Sequence, residues 1–398
     1  MQATQVINTH LKKMCQAIHK KRMKALITMV EACIQGKKLS VTGLGRAIKN
    51  AVYEKHNIKR ADRLMGSLAL NQERDLLYRT MTKWIIGNHK QPVILVDWSD
   101  LSANRDYHLL RASTPVGGRA LTIYDEVHPQ KKQANVQIET HFLKRLKLIL
   151  PNNCRPIIIT DAGYRTPWFN SVTDLGWDFV GRVGGHTMIR AKGYDNWSRI
   201  EKAFETASTQ ARYFGFIDLV KRKPTLYYAY LLKKKKQGRI KKNVCGQRSA
   251  MSYSEKVAQR QRTPWFIVTS LKGGSAITKR VINLYKTRMQ IEEGFRDIKN
   301  SRWGFSLDEA RVSTKFRYEN LLLVGVLATF AVWLTGKVAE LKNIHRQYQA
   351  NTIKKRKVLS TFYLGCRVLT KQAIEIRLTD FKSAMMALQN QSEAQCYA

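Results

Sequence analysis

All eight prolines of the 398-residue chain fall between Pro92 and Pro264, leaving residues 1–91 and 265–398 without any. Proline lacks a backbone donor and clashes with the preceding turn of a helix. The two flanks are therefore free to be largely helical, and the middle is expected to mix strands and helices. Apolar residues recur at helical spacing in 26–33, 44–48 and 58–68. Ser40-Val41-Thr42-Gly43-Leu44-Gly45-Arg46 reads as a capped first helix and Lys59-Arg60-Ala61-Asp62-Arg63-Leu64-Met65 as a basic second one. That order suits a helix-turn-helix, whose second helix enters the major groove and would carry Lys59, Arg60 and Arg63 there. A plain helical bundle with basic outer faces is the alternative.

Charge narrows the partners. Seventy Lys and Arg against 29 Asp and Glu give a net charge of +41. A hydrophobic content of 44% excludes a wholly disordered basic tail. Self-repulsion on this scale works against compaction unless an anionic partner offsets it. Nucleic acid comes first and an anionic membrane surface second. The longest apolar run, 321–334, falls short of the roughly 20 residues that span a bilayer. The opening MQATQVINTHLKKM has no apolar signal core, so no membrane partner is expected. Cys15, Cys33, Cys154, Cys245, Cys366 and Cys396 are scattered without a CxxC pair, as expected of reduced thiols in a cytoplasmic protein. No internal repeat is visible, and the length suits two or three domains of roughly 150 residues.

Residues 87–92 read as a linker. Val93-Ile94-Leu95-Val96 is a continuous apolar run of the kind buried on both faces of a central sheet. Strands are expected at 109–113 and 120–124 around the Pro115-Val116-Gly117-Gly118 turn, a helix at 136–150, and strands at 156–160 and 178–183 flanking a helix at 167–175. Three strands, helix, strand, helix, strand is the order of a ribonuclease-H-like α/β fold. The strand-like runs 226–231 and 265–269 enclose the basic stretch 233–242, which reads as a β-rich insertion with a charged loop. The expected division is a helical DNA-binding domain over 1–86, a catalytic core over 93–183 and 273–345, the insertion over 184–272, and a helical C-terminal region over 346–398 available for dimerisation.

Acids are scarce here, so those beside core strands carry information. Asp97 follows the first strand and Asp161 the fourth. Carboxylates there are costly to bury unless paired or metal-bound, and two of them at one sheet edge can hold a hard divalent cation such as magnesium. Each could instead form a turn or cap a helix. At about 100° per residue, Tyr285, Arg288, Glu292 and Lys299 would share one face of a single helix within roughly 60°, with Arg296 at its edge. This reads as an active-site wall, or as a solvated ion-pair ladder. Asp100 and Glu293 are second choices, because strand alternation and helical rotation turn them away.

The spacing Tyr285, Arg288, Glu292, Lys299, together with both strand-end aspartates, resembles the DDE transposases of bacterial insertion sequences, in the group often called the IS-four family, with its Tyr-Arg-Glu-Lys motif. The Asp161-Ala162-Gly163-Tyr164-Arg165 segment is similar to the composite-transposon subgroup that cuts and pastes through DNA hairpins. The resemblance implies a catalytic triad of Asp97, Asp161 and Glu292. The triad would hold two magnesium ions, for which manganese could substitute. It implies that Tyr285, Arg288, Arg296 and Lys299 grip the DNA backbone, and that Trp265 stacks on a flipped base. It further implies double-stranded transposon ends and target DNA as partners, a homodimer on paired ends, and a nucleoid-associated bacterial location. Trp98, Trp168, Trp177, Trp197 and Trp303 are expected to pack in the interior. The competing readings are a structure-specific endonuclease without strand transfer and a non-catalytic DNA-binding relative.

Overall fold

The computed structural model describes residues 2–101, 106–234, 263–350, 352–353, 355–371 and 375–397. All but Lys233 and Lys234 of the basic stretch 233–242, and Cys245, therefore lie outside the described residues. The chain divides into two compact units, one of Met1–Pro156 with Thr287–Tyr397, the other of Ile157–Lys286.

The first unit opens with α1 (Gln2–Met14), α2 (Lys20–Gly36), α3 (Val41–Ala47), α4 (Glu54–Met65) and α5 (Leu68–Ile86). Their starts follow local chemistry: the Ser40 hydroxyl accepts from the Gly43 N–H and Ser67 from the Leu70 N–H, both at 3.2 Å. Next come β1 (Val93–Asp100), β2 (Tyr107–Val116) and β3 (Arg119–Pro129), an antiparallel meander, then α6 (Val136–Ile149), capped by Asn135. The strands run longer than the apolar runs at 93–96, 109–113 and 120–124. Polar residues at their ends pair across strands, which a one-dimensional pattern does not show.

The second unit holds β4 (Ile157–Thr160), α7 (Thr166–Asp174), β5 (Asp178–Arg182), β6 (Met188–Ala191), β7 (Ser198–Arg199), α8 (Ile200–Glu205), β8 (Arg212–Leu219), β9 (Thr225–Leu232), β10 (Trp265–Thr269) and α9 (Thr278–Lys286). β4 and β5 are parallel, β10 lies antiparallel to β5, and β9 and β8 follow antiparallel. Strands on both sides of the expected boundary at 183/184 therefore share one sheet. The aromatic core is built on Phe169 and Phe179, stacked at 4.4 Å, with Tyr227 set edge-on to Phe179 at 5.1 Å.

The chain then completes the first unit with α10 (Met289–Lys299), α11 (Lys315–Leu341), α12 (Thr361–Lys371) and α13 (Leu378–Tyr397). The apolar run at 321–334 is the middle of the 27-residue α11, which is long and apolar enough to cross a membrane by length and composition. Its most apolar window is 89% buried within the protein, so the helix is the core element of this unit. α12 crosses it closely. A Cβ added at Gly336 would lie 1.9 Å from the Thr361 carbonyl oxygen, and one at Gly365 would lie 1.9 Å from that of Val332.

α10 packs on the meander through a partly buried charge cluster. The Arg119 guanidinium meets Asp297 at 3.0 Å and Glu293 at 3.3 Å. Burial pushes the Asp297 carboxyl up to about 7 against the pull of Arg119, and Glu293 adds to the rise.

Two outcomes test this packing. On propensity alone Gly336→Ala should stabilise α11 by about 1 kcal/mol. The Thr361 carbonyl reverses the sign, and urea denaturation should show a loss of about 1–3 kcal/mol from overpacking. For Asp297, a folded-state pKa above the unfolded value means the folded protein binds more protons between about pH 4 and 7. Its contribution to stability is full below the unfolded pKa and is lost as pH rises through about 7. The melting temperature of wild type minus that of Asp297→Asn should therefore fall across that window, and a flat difference would contradict the assignment.

Candidate active site

Asp97 lies on β1 with its side chain 16% exposed. Its Oδ1 accepts the Trp98 N–H at 2.9 Å, which fixes the carboxylate against its own backbone. Its Oδ2 stands 3.8 Å from Arg288 Nη1, while Arg288 Nη2 meets Glu292 Oε1 at 2.8 Å. One guanidinium thus spans two carboxylates from separate elements, β1 and α10. Glu292 is the more open of the two, at 37%. At the far end of α10, Lys299 Nζ donates to Ser99 Oγ at 2.9 Å and to the Asp100 carbonyl. Burial lowers the Lys299 pKa, with Asp308 and Asp100 opposing. Lys299 thereby ties α10 to the end of β1, two residues beyond Asp97.

Sequence reasoning missed the neighbours of Asp97 in the sheet. Asp97 pairs in register with Arg111 on β2, and Arg111 with Asp125 on β3. Paired residues of adjacent strands share a face, so the three form a row of alternating charge. Arg111 is 2% exposed and binds Asp125 Oδ2 at 2.9 Å, and its guanidinium lies 5.4 Å from the Phe295 ring of α10. The available signal was a charge set inside two apolar strands, Leu110-Arg111-Ala112 and Tyr124-Asp125. Asp100 is turned the other way, to His108 Nδ1 at 3.0 Å, and Glu293 is taken by Arg119 and by Arg296 at 2.5 Å. Arg296 itself is exposed.

One geometric expectation fails. Residues 285–299 do not form a single helix: α9 ends at Lys286, Thr287 and Arg288 form a turn, and α10 begins at Met289. The N–H groups of Gln290 and Ile291 bond the carbonyls of Thr287 and Arg288, three residues back, and this tighter turn shifts the helical phase. The four motif residues therefore do not share one continuous helix face.

In the second unit, Asp161 follows β4, half-buried, and its Oδ1 accepts the Gly163 N–H at 2.8 Å. Tyr285 is buried on α9 and meets the Trp265 ring edge-on at 4.8 Å. Trp265 is only 8% exposed, and the Lys234 ammonium lies 4.1 Å from its ring centre. Among the tryptophans expected to pack, Trp168 and Trp177 are buried, but Trp303 is 50% exposed.

On α4, Lys59 and Arg63 are exposed one turn apart, and Lys55 extends the same stripe. Arg60 and Arg63 line an open hollow of about 530 Å³ with His56, Asn57 and Ser67. None of the candidate acids borders it.

Among the described residues, no group of three or more His, Cys, Asp and Glu side chains is gathered closely enough to hold a metal ion. The donors of the first unit nevertheless fit a hard divalent cation. Asp97 and Glu292 offer carboxylate oxygens and already hold one positive group, Arg288, in common.

A comparison with curated proteins gives no match. Residues 88–330, more than half of the chain, match the family model described as the transposase DDE domain. The mixed α/β architecture is consistent with the ribonuclease-H-like form of that domain, and such enzymes generally use divalent metal ions. The matched segment holds Asp97, Asp161 and Glu292 and all of Ile157–Lys286, the second unit, and the chain belongs to the DDE transposases, enzymes that act on DNA.

Proposed function

We propose that the chain is a cut-and-paste transposase of the IS-four type, with Asp97, Asp161 and Glu292 as its acidic triad. The observation that carries this reading is the sharing of one guanidinium by Asp97 and Glu292, from β1 and α10, inside the segment that matches the transposase DDE domain. Two carboxylates held toward a common positive charge are disposed to bind cations, and magnesium or manganese suits oxygen donors. When bound, such ions activate an attacking oxygen and stabilise a leaving one.

The chain's own part is positioning. Arg288 offsets the repulsion between Asp97 and Glu292, and its fork suits a phosphodiester once DNA arrives. Lys299 keeps β1 and α10 together, and the exposed Arg296 adds charge along the DNA path. In the reaction sequence, water opens one strand at a transposon end, the freed 3′ hydroxyl attacks the opposite strand to close a hairpin, water reopens it, and the 3′ hydroxyl joins target DNA. Trp265 and Tyr285 would serve the hairpin step. Stacking of a flipped base on Trp265 requires that Lys234 leave the ring face. The basic stripe of α4 is assigned to end recognition. Joining two ends calls for a homodimer.

Two experiments test this. Asp97→Ala, Asp161→Ala and Glu292→Ala should each slow nicking of a labelled end about a thousandfold or more, since several kcal/mol of transition-state stabilisation is lost. Affinity for the end should stay near that of wild type. Nicking by Asp97→Ala at a near-normal rate would sink the triad, and nicking without any joining of a 3′ hydroxyl end to plasmid would favour a plain endonuclease. For α4, the double variant Lys59→Ala, Arg63→Ala should lower the slope of log K against log salt by about 1.8, at about 0.9 per phosphate contact. An unchanged slope would remove α4 from the interface.

A further inference from the structure

Trp303 stands out by its exposure on a turn that is fastened on both sides. Asn300 Oδ1 accepts the N–H groups of Arg302 and Trp303, both at 2.8 Å, and the Gly304 N–H bonds the Asn300 carbonyl at 2.9 Å. A Cβ at Gly304 would lie 2.3 Å from the Asp297 carbonyl oxygen, so the turn closes this tightly only with glycine. Phe305 then enters the core, 1% exposed and edge-on to Phe362 at 5.6 Å. The indole is therefore presented outward by a rigid turn. Tyr363 of α12 braces it edge-on at 5.7 Å, and the Arg302 guanidinium lies 4.7 Å from its ring centre. Half of its surface stays open to solvent.

We propose that Trp303, with Arg302, is a stacking platform for an unpaired nucleotide of the DNA being processed. Within a duplex the bases are paired and stacked on their neighbours, so a surface indole takes an unpaired base most readily from a single-stranded extension or an extruded position. Stacking on an aromatic ring is indifferent to base identity, and an adjacent arginine supplies the charge for the phosphate. The place suits this. Seven residues separate Glu292 from Lys299 along α10, about 10 Å at about 1.5 Å per residue, and Trp303 follows four residues on. A strand acted on at Glu292 reaches that distance in about three nucleotides at about 3.4 Å each. A second copy of a chain carrying +41 is a poorer occupant for a patch that itself bears Arg302.

The proposal rests on the chain acting on DNA, and the test separates the two. Fluorescence anisotropy with the full-length protein would compare a blunt duplex with the same duplex carrying a short single-stranded 3′ extension. Wild type should prefer the extended probe. Trp303→Ala should weaken binding to it about five- to a hundredfold, leaving blunt-duplex affinity, which also reports an intact fold, unchanged. Trp303→Phe should keep most of the preference, and Trp303→Leu, apolar but without a π-face, should lose it. Equal affinity of the Phe and Leu variants for the extended probe, or equal losses on both probes, would overturn the platform. So would light scattering showing that Trp303→Ala breaks up a self-associated form without DNA. Wild type that binds neither duplex would overturn the DNA-acting reading itself, and the platform with it.

Discussion

Asp125 is wholly buried, and the first unit is organised around its charge. It receives Arg111 from the neighbouring strand at 2.9 Å, Arg74 from α5 at 3.1 Å, and the Tyr78 hydroxyl at 2.5 Å. Arg74 also reaches Glu319 of α11 at 3.1 Å. Burial alone would lower the Arg74 pKa, but Tyr78, Glu319 and Asp125 outweigh it and the group is raised. Desolvating so many charges is expensive, and removing one partner of a buried pair costs about 3–5 kcal/mol because the other is left uncompensated. The network therefore adds little net stability but is intolerant of misplacement. The helical N-terminal segment, the meander and α11 must meet in one register or leave a charge unmet.

That intolerance bears on chemistry, because Arg111 lies beside Asp97 in the same row of the sheet. A carboxylate proposed to take part in phosphodiester cleavage must not wander. Asp97 is bounded by its own backbone, by Arg288, and by a strand whose neighbour is anchored through Asp125. Lys299 fastens the other wall. Positional accuracy at the two acids of this unit comes from the charged groups around them, of which Arg111 and Asp125 are buried away from solvent.

The element order was largely legible in the sequence. Apolar runs ending in Asp97 and Asp161 mark strands whatever surrounds them, and the absence of proline after Pro264 leaves α10 and α11 free to form. What could not be read depends on partners distant in the chain. The turn at Thr287 and Arg288 arises from a change in hydrogen-bond span that side-chain periodicity does not encode. The row from Asp97 to Asp125 needs the strand register. Trp303 was expected inside because tryptophans usually are, and only the fastened turn reveals that it is held out. α11 looked too short to cross a bilayer because charged residues at its ends conceal the length of the helix, and only its burial marks it as the core of the unit.

The first unit is discontinuous: its two segments are separated by the second unit, Ile157–Lys286. During synthesis, α1–α6 and the meander leave the ribosome well before α10 and α11 exist. Elongation at about 5–20 residues per second makes the intervening 130 or so residues a delay of roughly 7–26 s. Through that interval the buried Arg74 lacks its Glu319 partner, and the surface that α11 will cover is bare. Glu292 arrives only with the returning segment, so a ribosome that stalls early releases a chain holding two of the three proposed acids at most. Assembly of the proposed centre is thereby coupled to synthesis of the returning segment.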